Sequence, residues 1–211
     1  MKDIHLQPLM KEIEIIYSGE KIQLSSIRKN EIENFWTEIN KTHTFFRGEV
    51  FTVESILELE KTYRIVVNRT DYAHYLHTVK NNLVDEEACK VIFGAGLVET
   101  IDSFFILGEM ACHTAYPGRV QFVGGGLGWE DLKEDRFDIK ASVLRELHEE
   151  LGVTSKYVSN CKPVHVKIGG TYNSIVILFH ITIDLSKKEF LHHYSLFINK
   201  LCNKGEKPEF K

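Results

Sequence analysis

Basic residues are in deficit in this sequence of 211 residues: 26 Lys plus Arg stand against 30 Asp plus Glu, a formal net charge of −4. That balance excludes nucleic-acid binding by bulk charge, because no cation excess exists to displace counterions from phosphates. It does not exclude a small polyphosphate, which an acidic site can take through a bridging metal. Long apolar runs are missing as well. Nothing reaches the length of about 18 residues that a membrane-spanning helix requires. The opening segment, MKDIHLQPLMKEIEII, is broken by charge and lacks the apolar stretch of a signal peptide. Cysteine is scarce, and Cys89, Cys112, Cys161 and Cys202 are scattered without a CxxC pair. A chain of this size needs no covalent staples, so reduced, buried thiols and a soluble, cytoplasmic protein are expected. No Pro/Gly/Ser-rich linker, low-complexity run or repeat interrupts the chain. Apolar residues are plentiful, at 43%. That rules out disorder and suffices for one medium domain, or one domain with an appendage.

The first part reads β, then helix, then β. Residues 12–17 alternate in polarity, and Ser18-Gly19-Glu20-Lys21 offers a turn into a second strand at 22–27. Ile32, Phe35, Trp36 and Ile39 stand at helical spacing between Asn30 and Asn40. Strands are expected over 48–57 and 61–68, and Asp71 can cap a short helix through YAHYLHTVK. The tyrosines and histidines of that helix (Tyr72, His74, Tyr75, His77) read as half-buried packing residues.

A second part begins near Cys89. Residues 90–100 and 103–110 form two β-rich runs joined at Ile101-Asp102, and a loop with Tyr116-Pro117-Gly118 leads to a short strand and to Gly124-Gly125-Gly126. A polar loop over 127–138, a helix over 139–151, strands near 162–168 and 172–184 and a helix over 186–203 complete the pattern. Strands interleaved with helices indicate an α/β or α+β layered fold.

The most informative segment is Arg145-Glu146-Leu147-His148-Glu149-Glu150-Leu151-Gly152-Val153. At helical spacing Glu146, Glu149 and Glu150 share one face, while Val143, Leu144, Leu147 and Leu151 face a core. Like charges so placed cost about 0.2–0.5 kcal/mol per pair on a free helix. A hard divalent cation between them removes that cost, and all-oxygen donors point to Mg²⁺, with Mn²⁺ as its substitute. Arg145 can pair with Glu149 one turn on, and Gly152 suits the end of the helix. For three glutamates alone, a solvated acidic face is the plain alternative.

This stretch resembles the Nudix box, G-x5-E-x7-R-E-U-x-E-E-x-G-U with U aliphatic. Arg145, Glu146, Leu147, Glu149, Glu150, Gly152 and Val153 match its second half in full. At average residue usage such a match arises by chance roughly once in 10⁵ trials. The Gly-rich turn before the helix also agrees. The first half departs: counting back from Arg145, the first glutamate of the pattern falls at Phe137 and its glycine at Asp131. Taking the glycine as Gly125 requires an insertion of about six residues within 127–138. Glu130, Glu134 and Asp138 are then candidates for the missing glutamate, and Asp138 also suits a helix N-cap.

The resemblance covers residues 89–211 and implies a Nudix-like α/β/α sandwich with a mixed sheet, preceded by an α+β extension over 1–88. That extension would cover the distal group of a substrate or build a homodimer. The implied activity is Mg²⁺-dependent hydrolysis of a nucleoside diphosphate linked to another moiety, such as a nucleotide sugar or ADP-ribose. The alternative is a non-catalytic nucleotide-binding module of the same fold. By position, Glu149 and Glu150 would be the main metal ligands and Glu146 a third ligand or a base. The carbonyl of Gly124 or Gly125 would complete the site, and Arg145 would orient a glutamate. A further carboxylate after the box is expected to handle the attacking water, with Glu189, Glu206 and Glu209 available. Tyr116, Arg119 and Trp129 are candidate substrate contacts; His148, His192 and His193 read as surface residues.

Overall fold

The computed structural model describes residues 3–42, 45–114, 116–170 and 173–211. In chain order its elements are β1 (Ile4–Pro8), β2 (Glu12–Lys21), α1 (Ser26–Ile39), β3 (Glu49–Glu58), β4 (Thr62–Asp71), α2 (Tyr72–Lys80) and β5 (Ile92–Thr100). Four short strands follow: β6 (Phe105–Ile106), β7 (Gly108–Glu109), β8 (Val120–Gln121) and β9 (Val123–Gly126). Then come β10 (Leu132–Lys133), β11 (Arg136–Phe137), α3 (Ile139–Leu151), β12 (Val158–Gly169), β13 (Ser174–Ile183) and α4 (Lys187–Asn203). The class is α+β with mixed sheets, as the alternation of strand and helix patterns predicts. Among the described residues no helix is long and apolar enough to cross a membrane.

Two compact units divide the chain. One comprises Met1–Phe93, Gly126–Ile139 and Val166–Val176; the other comprises Gly94–Gly125, Lys140–His165 and Ile177–Lys211.

In the first unit the strands run β10-β11-β2-β4-β3. β2 pairs with β4 in parallel, Ile15 opposite Ile65 and Tyr17 opposite Val67, and β3 pairs with β4 antiparallel. Ile15, Phe51, Ile65, Val67 and Phe137 are buried, and Ile32, Ala73, Leu76 and Val79 bury the helical faces. The expected turn at 18–21 does not reverse the chain. It forms an irregularity within β2, between Tyr17 and Lys21, where the Ser18 hydroxyl donates to Asn68. Residues 22–27 accordingly form no strand, and α1 begins four residues earlier than its apolar spacing suggests. The reason is its cap: the Ser25 hydroxyl accepts from the Arg28 N–H at 3.2 Å and donates to Glu87 at 2.9 Å. We expect Ser25→Ala to cost about 1 kcal/mol in urea denaturation. An unchanged midpoint would contradict that account of the cap.

Asp71 caps α2 as expected, accepting from the His74 N–H at 3.0 Å. His74 is buried, with the Thr70 hydroxyl at Nδ1 and the Glu87 carbonyl at Nε2, both at 2.8 Å. A carbonyl accepts only, so Nε2 carries the proton and Nδ1 accepts from Thr70. Residues 127–138, expected as a polar loop, instead contribute the β10–β11 hairpin, with Phe137 opposite Ile15 of β2.

In the second unit the strands run β12-β13-β5-β6, with β9 also pairing β5. The apolar run of β13 is buried almost throughout, with Ile177, Phe179, Ile181 and Ile183 at the core beside Val98, Val123 and Val143. The hairpin expected around Ile101-Asp102 forms, with Glu99 opposite Phe105, but its second strand is brief. β7 turns away to pair with β8. β12 and β13 reproduce the two expected late strands, save that Tyr172 lies outside the described residues. All four cysteines are free, as expected, but Cys112 and Cys202 are exposed and only Cys89 and Cys161 are buried. Burial pushes the Cys89 thiol up to about 12, so it is inert at neutral pH.

Candidate functional site

α3 occupies the span its periodicity predicts. Val143 and Leu147 are fully buried and Leu151 nearly so, and Gly152 ends the helix with φ +71° while its N–H bonds the His148 carbonyl at 2.9 Å. His148 faces solvent, as expected. The glutamate face is not uniformly solvated. The Glu149 side chain is 55% exposed and that of Glu146 only 15%, while Glu150 as a residue is 5% exposed. A solvated acidic face is therefore excluded at its most important position.

β9 supplies the opposing backbone. The Gly124 N–H donates to Glu150 Oε2 at 3.0 Å. Gly124 has φ +153°, and a Cβ there would lie 2.3 Å from the Gly94 carbonyl oxygen. A Cβ on Gly125 would lie 2.3 Å from Glu146 Oε1, so the Glu146 carboxyl rests against bare main chain. Arg145 bridges the other two glutamates, its Nη1 donating to Glu146 Oε1 at 2.9 Å and to Glu149 Oε2 at 3.2 Å. The orienting role expected for Arg145 thus has a geometric basis.

The electrostatics follow from burial and from carboxylates facing one another. Burial, then the neighbouring Glu209, push Glu150 up to about 9; the Gly124 N–H opposes the shift, and Glu146 and Glu149 add to it. Glu146 is raised chiefly by burial, against the pull of Arg145. Glu209 is exposed as a residue, but partial burial of its carboxyl raises it, with His113 opposing. Among the described residues no Lys, Arg or His pairs with Glu150. Such a group is costly as an anion, and without a cation it keeps its proton.

This has a consequence for stability. The native-state value of about 9 lies above the ordinary 4.5, so the native state binds more protons than the unfolded chain between those values. The contribution is complete below pH 4.5 and is lost as pH rises through about 9, with Glu146 and Glu209 acting in the same direction. The metal-free protein should therefore melt lower at pH 8 than at pH 5.5. Glu150→Gln, which keeps an acceptor for Gly124 and carries no charge, should flatten that profile. An equally steep profile in the variant would refute the assignment.

Of the three carboxylates that follow the helix, Glu209 is the one whose charge acts on Glu150 and Glu146. Glu189 is committed to the N-cap of α4, its Oε2 accepting from the Ser186 N–H at 2.8 Å and the Ser186 hydroxyl at 2.7 Å. Glu206 is exposed and lines a groove of about 580 Å³ along α4 with His148, Glu149 and Lys200. Glu209 is tied to the β7–β8 connection, its carbonyl accepting from the Ala111 N–H at 2.8 Å. No local motif marked it; only its pairing with that connection brings it here. Tyr116 and Arg119 lie in the same connection, the guanidinium 5.6 Å from the ring centroid. His193, expected at the surface, is half-buried and bonds the Gly152 carbonyl at 2.9 Å.

Gly126 to Ile139 belongs to the first unit, and so do Trp129 and the three carboxylates proposed for the missing glutamate. Trp129 packs edge-on against Tyr17 and Phe51, its indole N–H donates to Glu49, and Arg69 lies 6.0 Å from its ring. Asp138 stands directly before α3 and pairs with Lys133 at 2.8 Å. Glu134 takes the φ +56° position of the β10–β11 turn, and Glu130 lies in a one-turn 3-10 helix.

Among the described residues no three His, Cys, Asp or Glu side chains converge closely enough to enclose a metal ion. Glu146, Glu149 and Glu150 carry oxygen donors of the kind a hard cation takes, and Glu150 is buried with no cationic partner among the described residues. The fold and this cluster define an α+β protein with an acidic, partly buried helix-and-glycine-turn site. No known family profile matches the chain, and no curated protein matches it. Among solved structures it is similar to the crystal structure of a MutT protein from Methanosarcina mazei Go1. The identity is 16%, the TM-score is 0.31, and the match covers 53% of this chain and 94% of that one. A likeness of that size says nothing about activity.

Proposed function

We propose that the protein is a metal-dependent hydrolase that cleaves the diphosphate linkage of a nucleoside diphosphate joined to another moiety. The observation that carries this reading is Glu150: a residue 5% exposed, its carboxyl held by a backbone N–H, under the charge of neighbouring carboxylates and paired with no cation among the described residues. Natural proteins bury an ionisable group at such cost mainly where it has a task. Glu146, Glu149 and Glu150 would hold Mg²⁺, or Mn²⁺ in its place, with the Gly125 carbonyl as a backbone donor. When bound, the ion would neutralise the diphosphate and acidify a water for attack on phosphorus.

The remaining work falls to the chain itself. Arg145 fixes the rotamers of Glu146 and Glu149, and the Gly124 N–H fixes Glu150. Glu146 or Glu209, both raised above the ordinary carboxylate range, can take the proton of the attacking water. Tyr116 and Arg119 are the substrate contacts of this reading. Trp129, its N–H engaged by Glu49, serves the packing of the first unit.

Incubation with nucleotide sugars, ADP-ribose, dinucleoside polyphosphates and nucleoside triphosphates in Mg²⁺ should release a phosphate-containing product from at least one. EDTA should stop it. A second reading, a nucleotide-binding module without turnover, is favoured by the Arg145 bridge, which occupies two of the three glutamates. Binding without product across the whole panel would select it.

A further inference from the structure

α4 turns one stripe of side chains toward the end of α3. Leu196, Lys200 and Lys204 follow one another at four-residue intervals along α4 and its C-cap, beside Phe197. With Gly152 and Thr154, just past α3, they line the groove of about 580 Å³ that Glu149 and Glu206 also border. That is the size of a site for a small organic molecule. The two walls are joined at its base. His193 Nε2 donates to the Gly152 carbonyl at 2.9 Å, and a Cβ on Gly152 would lie 2.5 Å from Phe197 Cγ, so the Phe197 ring rests on bare main chain. Leu196 beside it is 57% exposed. Two features of the groove are left unmet. Among the described residues Lys200 and Lys204 pair with no acid, although like charges one turn apart repel. The Thr154 hydroxyl is buried without a hydrogen-bond partner and does not cap the 3-10 turn that follows it, a costly state for a polar group. Glu149 is bridged by Arg145, which leaves Glu206 as the rim acid set against two lysines.

We propose that this groove is a nucleotide subsite, in which the base and ribose lie over Leu196 and Phe197 and a phosphate bridges Lys200 and Lys204. An apolar floor alone would suit any hydrophobe, and two lysines alone any anion. Side by side on one stripe, they call for a ligand that carries a flat apolar part and an anion on a short frame, as a nucleoside monophosphate does. The lysines are separated by about 6 Å of helix rise, which their long side chains close around one phosphate. Binding in the groove needs no metal. Only the further step, that the bound nucleotide is one half of a hydrolysed substrate, rests on the reading above, through Glu149, which borders the groove and belongs to the α3 glutamates.

The test is an NMR titration of the full chain in EDTA with adenosine and uridine 5′-monophosphates, the free nucleosides, inorganic phosphate and octanoate. At least one nucleotide should shift the amides of Thr154, Leu196, Phe197 and Lys200 saturably, and phosphate, octanoate or the nucleoside alone should bind at least about 10-fold more weakly. Lys200→Gln and Lys204→Gln should each weaken the nucleotide about 10-fold, the loss of one charge-assisted hydrogen bond. Leu196→Ser should weaken the nucleotide and leave phosphate unchanged. Thr154→Val should also weaken it, yet leave the melting temperature of the free protein equal or higher, because the unmet hydroxyl is gone and the shape is kept. Phosphate or octanoate bound as tightly as the nucleotides would make the groove a plain anion or apolar site and overturn the proposal, as would the absence of saturable shifts. Nucleotide binding in a protein that hydrolyses nothing would uphold the groove and contradict the metal-dependent reading. Mg²⁺-dependent hydrolysis with KM unchanged in Lys200→Gln and Lys204→Gln, and no nucleotide shifts, would do the reverse.

Discussion

Replacing Glu149 by Gln should lower Mg²⁺-dependent hydrolysis by roughly 10³-fold or more, about 4 kcal/mol of transition-state stabilisation, and leave the melting temperature almost unchanged. The two halves of that expectation have separate grounds. Glu149 is the most exposed of the three glutamates, and its contact with Arg145 is a solvent-facing i,i+4 pair. Exposed pairs of that kind contribute little to stability, and surface changes stay within about 0.5 kcal/mol. In the proposed function its value lies in negative charge offered to a cation, which the amide of Gln cannot supply although it has the same shape. Steady-state rates and a thermal melt on one preparation read both halves. Full activity in the variant would remove Glu149 from the site, and a collapsed melt would show that its role is structural.

Gly124→Val should destabilise the fold by roughly 3 kcal/mol or more. The backbone at Gly124 has φ +153°, and any Cβ would meet the Gly94 carbonyl oxygen at 2.3 Å and the Ala95 Cα at 2.8 Å. Both obstacles are main chain within β5, which cannot rotate aside as a side-chain tip can. The substitution would also displace the N–H that holds Glu150. Gly126→Ala is the control, since a Cβ there meets nothing within 4 Å, and it should stay within about 0.5 kcal/mol. Denaturant midpoints of the two variants decide the matter. Equal losses would mean that the glycine run is merely flexible, and that the close approach of β9 to β5 imposes no steric limit.

Much of the fold was legible because hydrophobic period reports burial directly. α3 and α4 fall where their apolar spacing puts them, and Asp71 and Gly152 mark helix ends through local chemistry. The misses are of another kind. Ser18-Gly19-Glu20-Lys21 reads locally as a reversing turn, yet β2 continues through it because β4 lies alongside in parallel. Residues 127–138 read as a polar loop, but two short strands form there because β2 offers them an edge.

The site divides in the same way. Helical spacing alone gathers Glu146, Glu149 and Glu150 on one face, and the Arg145 bridge is a local i,i+1 and i,i+4 matter. What spacing cannot give is depth. Glu150 is buried because β9 lies against that turn of the helix, a tertiary fact. Glu209 depends on a contact between positions about a hundred residues apart, Met110 with Phe210, for which nothing in Lys207-Pro208-Glu209-Phe210 gives a signal.

The central claim of the proposed function is that Glu150 and the carboxyls beside it are a site for a divalent cation. A Mn²⁺ titration followed by electron paramagnetic resonance, on the unmodified protein and on Glu150→Gln, tests it most directly. The account predicts saturable binding that tightens as pH rises from 6 toward 9, as Glu150 loses its proton, and that is strongly weakened in the variant. Binding that is absent, or equally tight in Glu150→Gln, would contradict it.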